Sequence, residues 1–253
     1  MKTIQNLEYP RYGHWSVYWN GYVFVIGGFS MDDNIDVEPS TLSSWEKYHY
    51  KENMWTPAAP LNIPRAYSGV VAFKSQSKKG KLSFVKGIKK INETLFPSYE
   101  YIYLFAGLND FVVLDSIEKY DAVLDLWTLL HIKMPMKIAK IGVSILEPNL
   151  SILICGGIHN NQDDEFVYIN HVFKLDMIME KWTQMPSMHQ NRVLYPTLPR
   201  IKDRIYAIGG SFKGEWEYFD ANSQVWIEVK GYDKLLSEND IQTFTIVNSY
   251  NYY

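Results

Sequence analysis

The chain has a single cysteine, Cys155, among its 253 residues. An intrachain disulfide is therefore excluded, and a reducing compartment is the expected environment. No apolar run approaches the roughly 20 residues that a membrane-spanning helix needs, and the N-terminus has no apolar stretch of signal-peptide length. We therefore expect a cytoplasmic protein with no membrane span.

Charge excess and catalytic motifs are also lacking. The formal net charge is −3, so no global electrostatic attraction favours nucleic acid as a partner. The sequence has no GxSxG elbow, no phosphate-binding GxxxxGK[ST] loop and no GxGxxG turn. Its 6 histidines show no pair at zinc-ligand spacing. We expect no catalytic residues, no metal and no cofactor.

Aromatic residues, at 15% of the chain, are abundant and recur in a pattern. Four β-branched or aromatic runs end in small residues, and each is followed by an aromatic residue or Leu with a Trp seven positions later. The runs are 22–28, 101–107, 152–157 and 204–210, and the pairs are Tyr48 and Trp55, Tyr120 and Trp127, Leu175 and Trp182, and Phe219 and Trp226. Four copies with identical spacing indicate a repeat architecture.

Each repeat is also preceded by a proline with a basic residue nearby. The basic residues are Arg11, Arg65, Lys137 and Arg192. Short runs of about five residues, separated by turn residues, predict four antiparallel strands in each repeat, which we term a to d. Because one such sheet cannot bury both faces alone, the repeats are expected to stack around an axis as a β-propeller.

The glycine pair, the Tyr-Asp pair and the Trp seven residues after that Tyr resemble the kelch repeat over nearly the whole chain. The repeats cover approximately residues 13–60, 66–132, 138–187 and 192–230. The resemblance implies an all-β kelch-type propeller with four complete four-stranded blades in a single domain, 1–253. The pattern is not strict, because Ala106 replaces a glycine, Leu175 a tyrosine and His49 an aspartate.

The two ends of the chain predict a partial blade. Residues 3–7 resemble an orphan strand d and residues 243–248 an orphan strand a, and a shared blade would remove exposed sheet edges. Strands b and c of that blade are missing. Three explanations remain open: a fragment of a longer chain, which we favour, a second chain that closes the ring, or an open array.

Two surfaces are candidates for a protein partner. In kelch adaptors the face that carries the d–a and b–c loops holds the binding pocket, which implies partner contacts for Arg11, Arg65, Lys137 and Arg192. The acidic b–c loops would add Asp32, Asp33, Asp163 and Asp164. The alternatives are that the basic residues cap strands or pair locally, and that the acidic residues are solvated turns.

The second surface is an insertion between strands a and b of the second repeat, at 74–98. It has seven lysines, among them Lys78, Lys79, Lys89 and Lys90, and one acidic residue. Its residues Val85, Ile88, Ile91 and Leu95 have the spacing of one helical stripe, although Gly87 weakens such a helix by about 1 kcal/mol. A basic amphipathic segment could dock on an acidic partner, and a low-complexity loop is the alternative.

These features together predict a non-catalytic interaction module, a scaffold, an adaptor or a structural subunit of a larger assembly. A cytoskeletal association rests on family analogy alone. One alternative is the substrate-recognition part of a ubiquitin ligase whose other domains are absent from these residues. Another is a kelch-fold enzyme or small-ligand binder at the axial channel.

Overall fold

The computed structural model describes residues 4–19, 21–31, 38–74, 100–147, 151–193, 198–211 and 216–229. Every regular element in these residues is a β-strand. The predicted insertion at 74–98 and the predicted strand at 243–248 therefore lie outside the described residues, apart from Lys74. Residues 4–7 form no strand, and the shared partial blade stays a prediction.

Sixteen of the strands form four antiparallel four-stranded sheets. Blade 1 has β2 (Trp15–Trp19), β3 (Tyr22–Ile26), β5 (Trp45–His49) and β6 (Met54–Pro57). Blade 2 has β7 (Gly69–Lys74), β8 (Glu100–Phe105), β11 (Ile117–Asp121) and β12 (Leu126–Leu129). Blade 3 has β13 (Gly142–Glu147), β14 (Ser151–Cys155), β17 (Val172–Asp176) and β18 (Lys181–Met185). Blade 4 has β19 (Arg200–Ile201), β20 (Arg204–Ala207), β21 (Trp216–Asp220) and β22 (Val225–Val229).

Three two-stranded sheets lie beyond the ends of blades 1 to 3. They pair β1 (Arg11–Tyr12) with β4 (Phe29–Ser30), β9 (Leu108–Asn109) with β10 (Val112–Val113), and β15 (Ile158–Asn160) with β16 (Phe166–Tyr168). The first strand of each of blades 1 to 3 contacts the next blade in chain order, β2 with β7, β7 with β13 and β13 with β20. This arrangement is a four-bladed β-propeller, which confirms the predicted fold class.

The repeated aromatic residues fill the spaces between blades. At the contact of blades 1 and 2, the Trp45 ring lies 4.5 Å from the Tyr120 ring and 5.5 Å from the Trp127 ring. Trp45, Tyr120 and Trp127 are all buried in one apolar cluster with Trp15 and Phe24. Large aromatic side chains contribute much of the apolar area that a core buries, so these residues serve packing between blades 1 and 2.

The glycine pair ends strand b in a conformation that a larger residue would strain. Gly28 has a φ of 103°, and a Cβ there would lie 2.8 Å from the Tyr12 carbonyl oxygen. Ala106, at the first position of the pair in blade 2, has a φ of 55°. The alanine side chain is small enough for the space. Its left-handed backbone conformation is less favourable in free energy than the same conformation of glycine.

Candidate interaction surface

The d–a segments and the b–c loops share one end of the propeller, which we call the loop face. It contains the three small sheets β1–β4, β9–β10 and β15–β16. The b–c loops of blades 1 and 2 are tied together, because Thr41 donates hydrogen bonds from its N–H and its Oγ1 to Asp110 Oδ1, both at 3.0 Å. Such cross-blade contacts hold the loops on a rigid scaffold, where binding residues are often found.

The predicted binding arginine of blade 2 lies inside its blade. Arg65 donates from Nη2 to Glu118 Oε1 at 2.7 Å and to Ser116 Oγ at 3.0 Å. Its Nη1 donates to the carbonyl oxygens of Ala106 and Ser116, and its Nε donates to Ile63 O at 3.3 Å. All the donors of the guanidinium group are therefore used within the chain.

Arg11 and Arg192 form the corresponding ion pairs in blades 1 and 4. Arg11 Nη2 lies 2.8 Å from Glu46 Oε1, and Arg192 Nε lies 2.9 Å from Glu217 Oε1. The side chains of all three arginines are at most 1% exposed. Burial lowers the pKa of Arg11 and Arg65, whereas the adjacent carboxylates act to raise it. Burial argues against direct partner contacts for these three residues, and local pairing, the alternative from the sequence, describes their geometry.

Lys137 is exposed and does not occupy the position of the arginines. The N–H of Gly107 donates to the carbonyl of Ile138, just as Gly28 donates to Arg65 and Gly157 to Arg192. Ile138, which is fully buried, is therefore the equivalent residue of blade 3. The sequence alignment of Lys137 with the arginines was wrong by one residue. A partner contact of Lys137 itself stays a prediction.

Blade 3 also lacks the glutamate that pairs with the arginine. Glu46, Glu118 and Glu217 pair in register with Val25, Leu104 and Ala207 of the neighbouring strand, and Phe173 pairs in the same way with Ile154. Phe173 is buried, at 7% exposure. Blade 3 has therefore replaced both members of the ion pair by apolar residues.

The predicted acidic residues are only partly described. Asp163 and Asp164 are exposed at the tip of the β15–β16 hairpin. There the Asn161 side chain accepts hydrogen bonds from the N–H groups of Asp163 and Glu165, both at 2.9 Å. The exposed carboxylates of Asp163 and Asp164 are thus available to solvent or a partner. The predicted contacts at Asp32, Asp33, Lys78, Lys79, Lys89 and Lys90 lie outside the described residues.

Exposed aromatic side chains on the loop face were not predicted. Phe111 is 79% exposed at the tip of the β9–β10 hairpin, and Phe166 and Tyr168 on β16 are 48% and 43% exposed. Tyr9, Tyr12 and Met31 are exposed at the same end. Because aromatic residues and Met are enriched at protein interfaces, these side chains join the two carboxylates as candidates for partner contact.

The part of the chain that the structure describes has no group of three or more His, Cys, Asp or Glu side chains placed to hold a metal ion. Across the same residues, no helix is long and apolar enough to cross a membrane. The thiol of Cys155 is buried on β14, and burial raises its pKa well above the usual value. A thiol in this environment behaves as a small apolar group.

The blade topology and the repeated contacts define a β-propeller built from one sequence repeat. A family model described as the kelch motif matches residues 10–62, which span blade 1. This match, together with the similar proteins described below, supports assignment of the chain to the kelch-repeat family. Kelch repeats form protein-interaction modules, and this chain shares their fold and their sequence pattern.

Several curated proteins are similar to most of the chain. The Kelch-like protein terF of Aspergillus terreus is 22% identical over 239 residues, which is 88% of this chain and 45% of that protein. The Kelch repeat and BTB domain-containing protein 1 of horsepox virus is 24% identical over 207 residues, 82% of this chain and 30% of that protein. Over a shorter stretch, Protein C13 of swinepox virus is 36% identical over 64 residues, 25% of this chain and 12% of that protein. The chain thus spans less than half the length of these relatives.

Proposed function

We propose that the chain is a non-catalytic binding domain that contacts a protein partner through its loop face. The observation that carries the proposal is the exposure of Phe111 and Phe166 on short hairpins of adjacent blades, beside the carboxylates of Asp163 and Asp164. Aromatic anchors supply contact area at low entropic cost, and a few such residues usually carry most of the binding energy. A partner with an apolar centre and a basic rim fits this surface.

The arginines have a structural role in this proposal. Their guanidinium groups hold strands b and c together through the carbonyls and the glutamates described above. Charge reversal of Arg11, Arg65 or Arg192 would bury two like charges and would therefore test folding rather than binding. We propose that the protein works in the cytoplasm, where its single thiol needs no partner.

The test is capture of partners by the tagged chain and by matched variants. Phe111→Ser combined with Phe166→Ser is expected to lose the captured proteins. Ile201→Ser is the control, because Ile201 is 59% exposed at the end of β19, where blade 4 reaches the end opposite the loop face. If the loop-face double variant retains the same partners as the control, the proposed surface is incorrect.

A second candidate is substrate recognition for a ubiquitin ligase, as the resemblance to kelch adaptors implies. It is supported by relatives whose names include a BTB domain. The overproduced isolated propeller would then compete with the complete ligase adaptor for each captured partner. The half-life of that partner would become longer. An unchanged half-life would favour a scaffold or a structural subunit instead.

An axial enzyme or small-ligand site is the alternative from another class. The axis carries backbone contacts between blades, because Tyr67 donates its N–H to Gly13 O and Lys140 donates to Tyr67 O, both at 2.8 Å. The Tyr67 ring packs against Gly13, and the Lys140 ammonium lies 4.7 Å from that ring. Elemental analysis of the purified chain tests this alternative, since a stoichiometric transition metal would contradict the non-catalytic proposal.

A further inference from the structure

The tip of the β9–β10 hairpin, which carries Phe111, is tied to the preceding blade by side-chain hydrogen bonds. The Oγ1 of Thr41, in the b–c loop of blade 1, lies 2.8 Å from Asn109 Oδ1 and 3.0 Å from Asp110 Oδ1. The N–H of Thr41 donates to the same Asp110 oxygen at 3.0 Å, and the N–H of Asp110 donates to Thr41 Oγ1 at 3.2 Å. We call these contacts of Thr41 with Asn109 and Asp110 the clasp.

The hairpin that the clasp holds has a very short ladder. Its strands, Leu108–Asn109 and Val112–Val113, have two residues each, and an isolated two-stranded hairpin is at best marginally stable in water. The base of the hairpin is fixed within blade 2, because Ala66 and Leu108 exchange two N–H···O hydrogen bonds, both at 2.8 Å. At the tip, the clasp supplies support that so short a ladder cannot provide.

The first residue of the hairpin turn suits the clasp better than it suits the turn. Asp110 and Phe111 connect the paired residues Asn109 and Val112, and Asp110 has a φ of 50°. Two-residue hairpin turns that begin with a left-handed residue favour glycine there. Aspartate tolerates this conformation better than most residues, whereas glycine has no side chain to accept a hydrogen bond from Thr41. The aspartate therefore keeps the contact with blade 1 at a conformational cost, which is typical of functional positions.

The blade 1 side of the clasp is itself firmly held. Thr41 is only 9% exposed and forms an antiparallel bridge with Phe29. The next residue, Leu42, donates its N–H to the carbonyl of Gly28 at 2.8 Å. Because Gly28 lies at the end of strand b of blade 1, the clasp connects the hairpin tip of blade 2 to the sheet of blade 1.

We propose that Thr41 is a positioning residue for partner binding, because the clasp holds the tip that carries Phe111 in one place before a partner arrives. The inference rests on the proposed function, in which Phe111 is an aromatic anchor of the loop face. Phe111 itself is 79% exposed. An anchor on a fixed tip loses less conformational entropy on binding than an anchor on a mobile one. Blades 1 and 2 thus form this part of the binding surface jointly.

Spin labelling of the full chain tests the clasp without any partner. Phe111→Cys places a thiol at the hairpin tip, and a nitroxide reagent labels it selectively because the Cys155 thiol is fully buried. The label should give the broad electron paramagnetic resonance spectrum of an immobile site. Thr41→Val keeps the shape of threonine but removes the hydroxyl, and the ratio of mobile to immobile label should rise about tenfold. Thr41→Ser keeps the hydroxyl and should keep the broad spectrum.

Ser40→Ala is the matched control, because it removes a hydroxyl from the same loop that lies 3.4 Å from Ser30 Oγ within blade 1. The label should stay immobile in this variant. A label as immobile in Thr41→Val as in the chain with Thr41 would overturn the proposal. Equal mobility in Thr41→Val and Thr41→Ser would also overturn it, because the hydroxyl would then not be the group that places the tip.

The proteins captured by the unlabelled chain supply a readout of binding. For each protein that the double variant Phe111→Ser with Phe166→Ser fails to capture, Thr41→Val should weaken the affinity about tenfold, and Thr41→Ser should restore it. Unchanged affinity in Thr41→Val would overturn the positioning role while leaving the loop face as the binding surface. Retention of every partner by the double phenylalanine variant would instead contradict the proposed function, and that result leaves the spectra of the labelled chain unaffected.

Discussion

Blade 3 fills two buried positions with different residues from those in the other three blades. Blades 1, 2 and 4 bury an arginine and a glutamate in contact, whereas blade 3 has Ile138 and Phe173 at the same two positions. A single replacement would leave a buried charge without its partner, which is costly, while a well-packed apolar pair is often as stable as the ion pair. The arginine position and the glutamate position therefore act as one structural unit.

The largest expected effect comes from breaking one ion pair. Glu118→Ala leaves the Arg65 guanidinium buried without its carboxylate, and the free energy of unfolding should fall by about 3–5 kcal/mol. Urea denaturation of the purified chain measures it. Glu228→Ala on β22 removes an exposed glutamate and should cost less than about 0.5 kcal/mol. A loss for Glu118→Ala as small as that of Glu228→Ala would show that the pair is not a structural unit.

The converse change introduces the charge into blade 3. Ile138→Arg places a guanidinium at a fully buried site and should destabilise the chain strongly. Adding Phe173→Glu should restore about 2 kcal/mol of that loss, since residues in one buried network are coupled by up to about 3 kcal/mol. Thermal or urea unfolding of the two single variants and the double variant provides the comparison. A double variant whose loss equals the sum of the singles would deny the equivalence of the two positions.

A smaller effect is expected at the c–d turn of blade 2. The Tyr120 hydroxyl donates to Asp125 Oδ1 at 2.6 Å, and burial, followed by this hydrogen bond, raises the tyrosine pKa. Leu175 and Phe219 lack this hydroxyl in blades 3 and 4. Tyr120→Phe should therefore cost only about 1 kcal/mol, measured by urea denaturation. Tyr18→Phe, at an exposed position, is the control, and a loss of several kcal/mol for Tyr120→Phe would contradict this account.

The reactivity of Cys155 measures how readily blade 3 opens, and it needs no substitution. Its thiol is fully buried and its pKa is raised, so little thiolate forms near pH 8. Labelling of the native chain by a thiol reagent should be at least about a hundredfold slower than labelling in urea, because only the exposed thiolate reacts. Equal rates would mean that blade 3, without its ion pair, opens far more readily than the compact fold implies.

The fold could be predicted because its signal is local and repeated. The glycine pair and the Trp seven residues after the aromatic position recur in four copies, and drift at Ala106 or Leu175 did not hide them. The propeller arrangement then follows, because each four-stranded sheet must stack on its neighbours to bury its faces. The closure of the ring stays a prediction, since residues 243–248 lie outside the described part of the chain.

The role of the arginines could not be predicted from their own neighbourhood. Their partners lie on strand c, far along the chain, and proximity in sequence placed Lys137 rather than Ile138 with the arginines. A signal did exist. Glutamate stands two residues before the aromatic position in the blades with arginine, at 46, 118 and 217, and phenylalanine stands there in blade 3. The exposure of Phe111 had no such signal, because a hairpin tip and a core strand both tolerate phenylalanine.

A double-mutant cycle on Arg65 and Glu118 tests the central claim most directly, namely that the buried pair is a structural unit of the propeller and not a partner site. Arg65→Ile and Glu118→Phe introduce the residues of blade 3 into blade 2. Each single variant should lose about 3–5 kcal/mol of unfolding free energy, and the double variant should lose less than either, because it leaves no buried charge. Losses that simply add in the double variant would contradict the account.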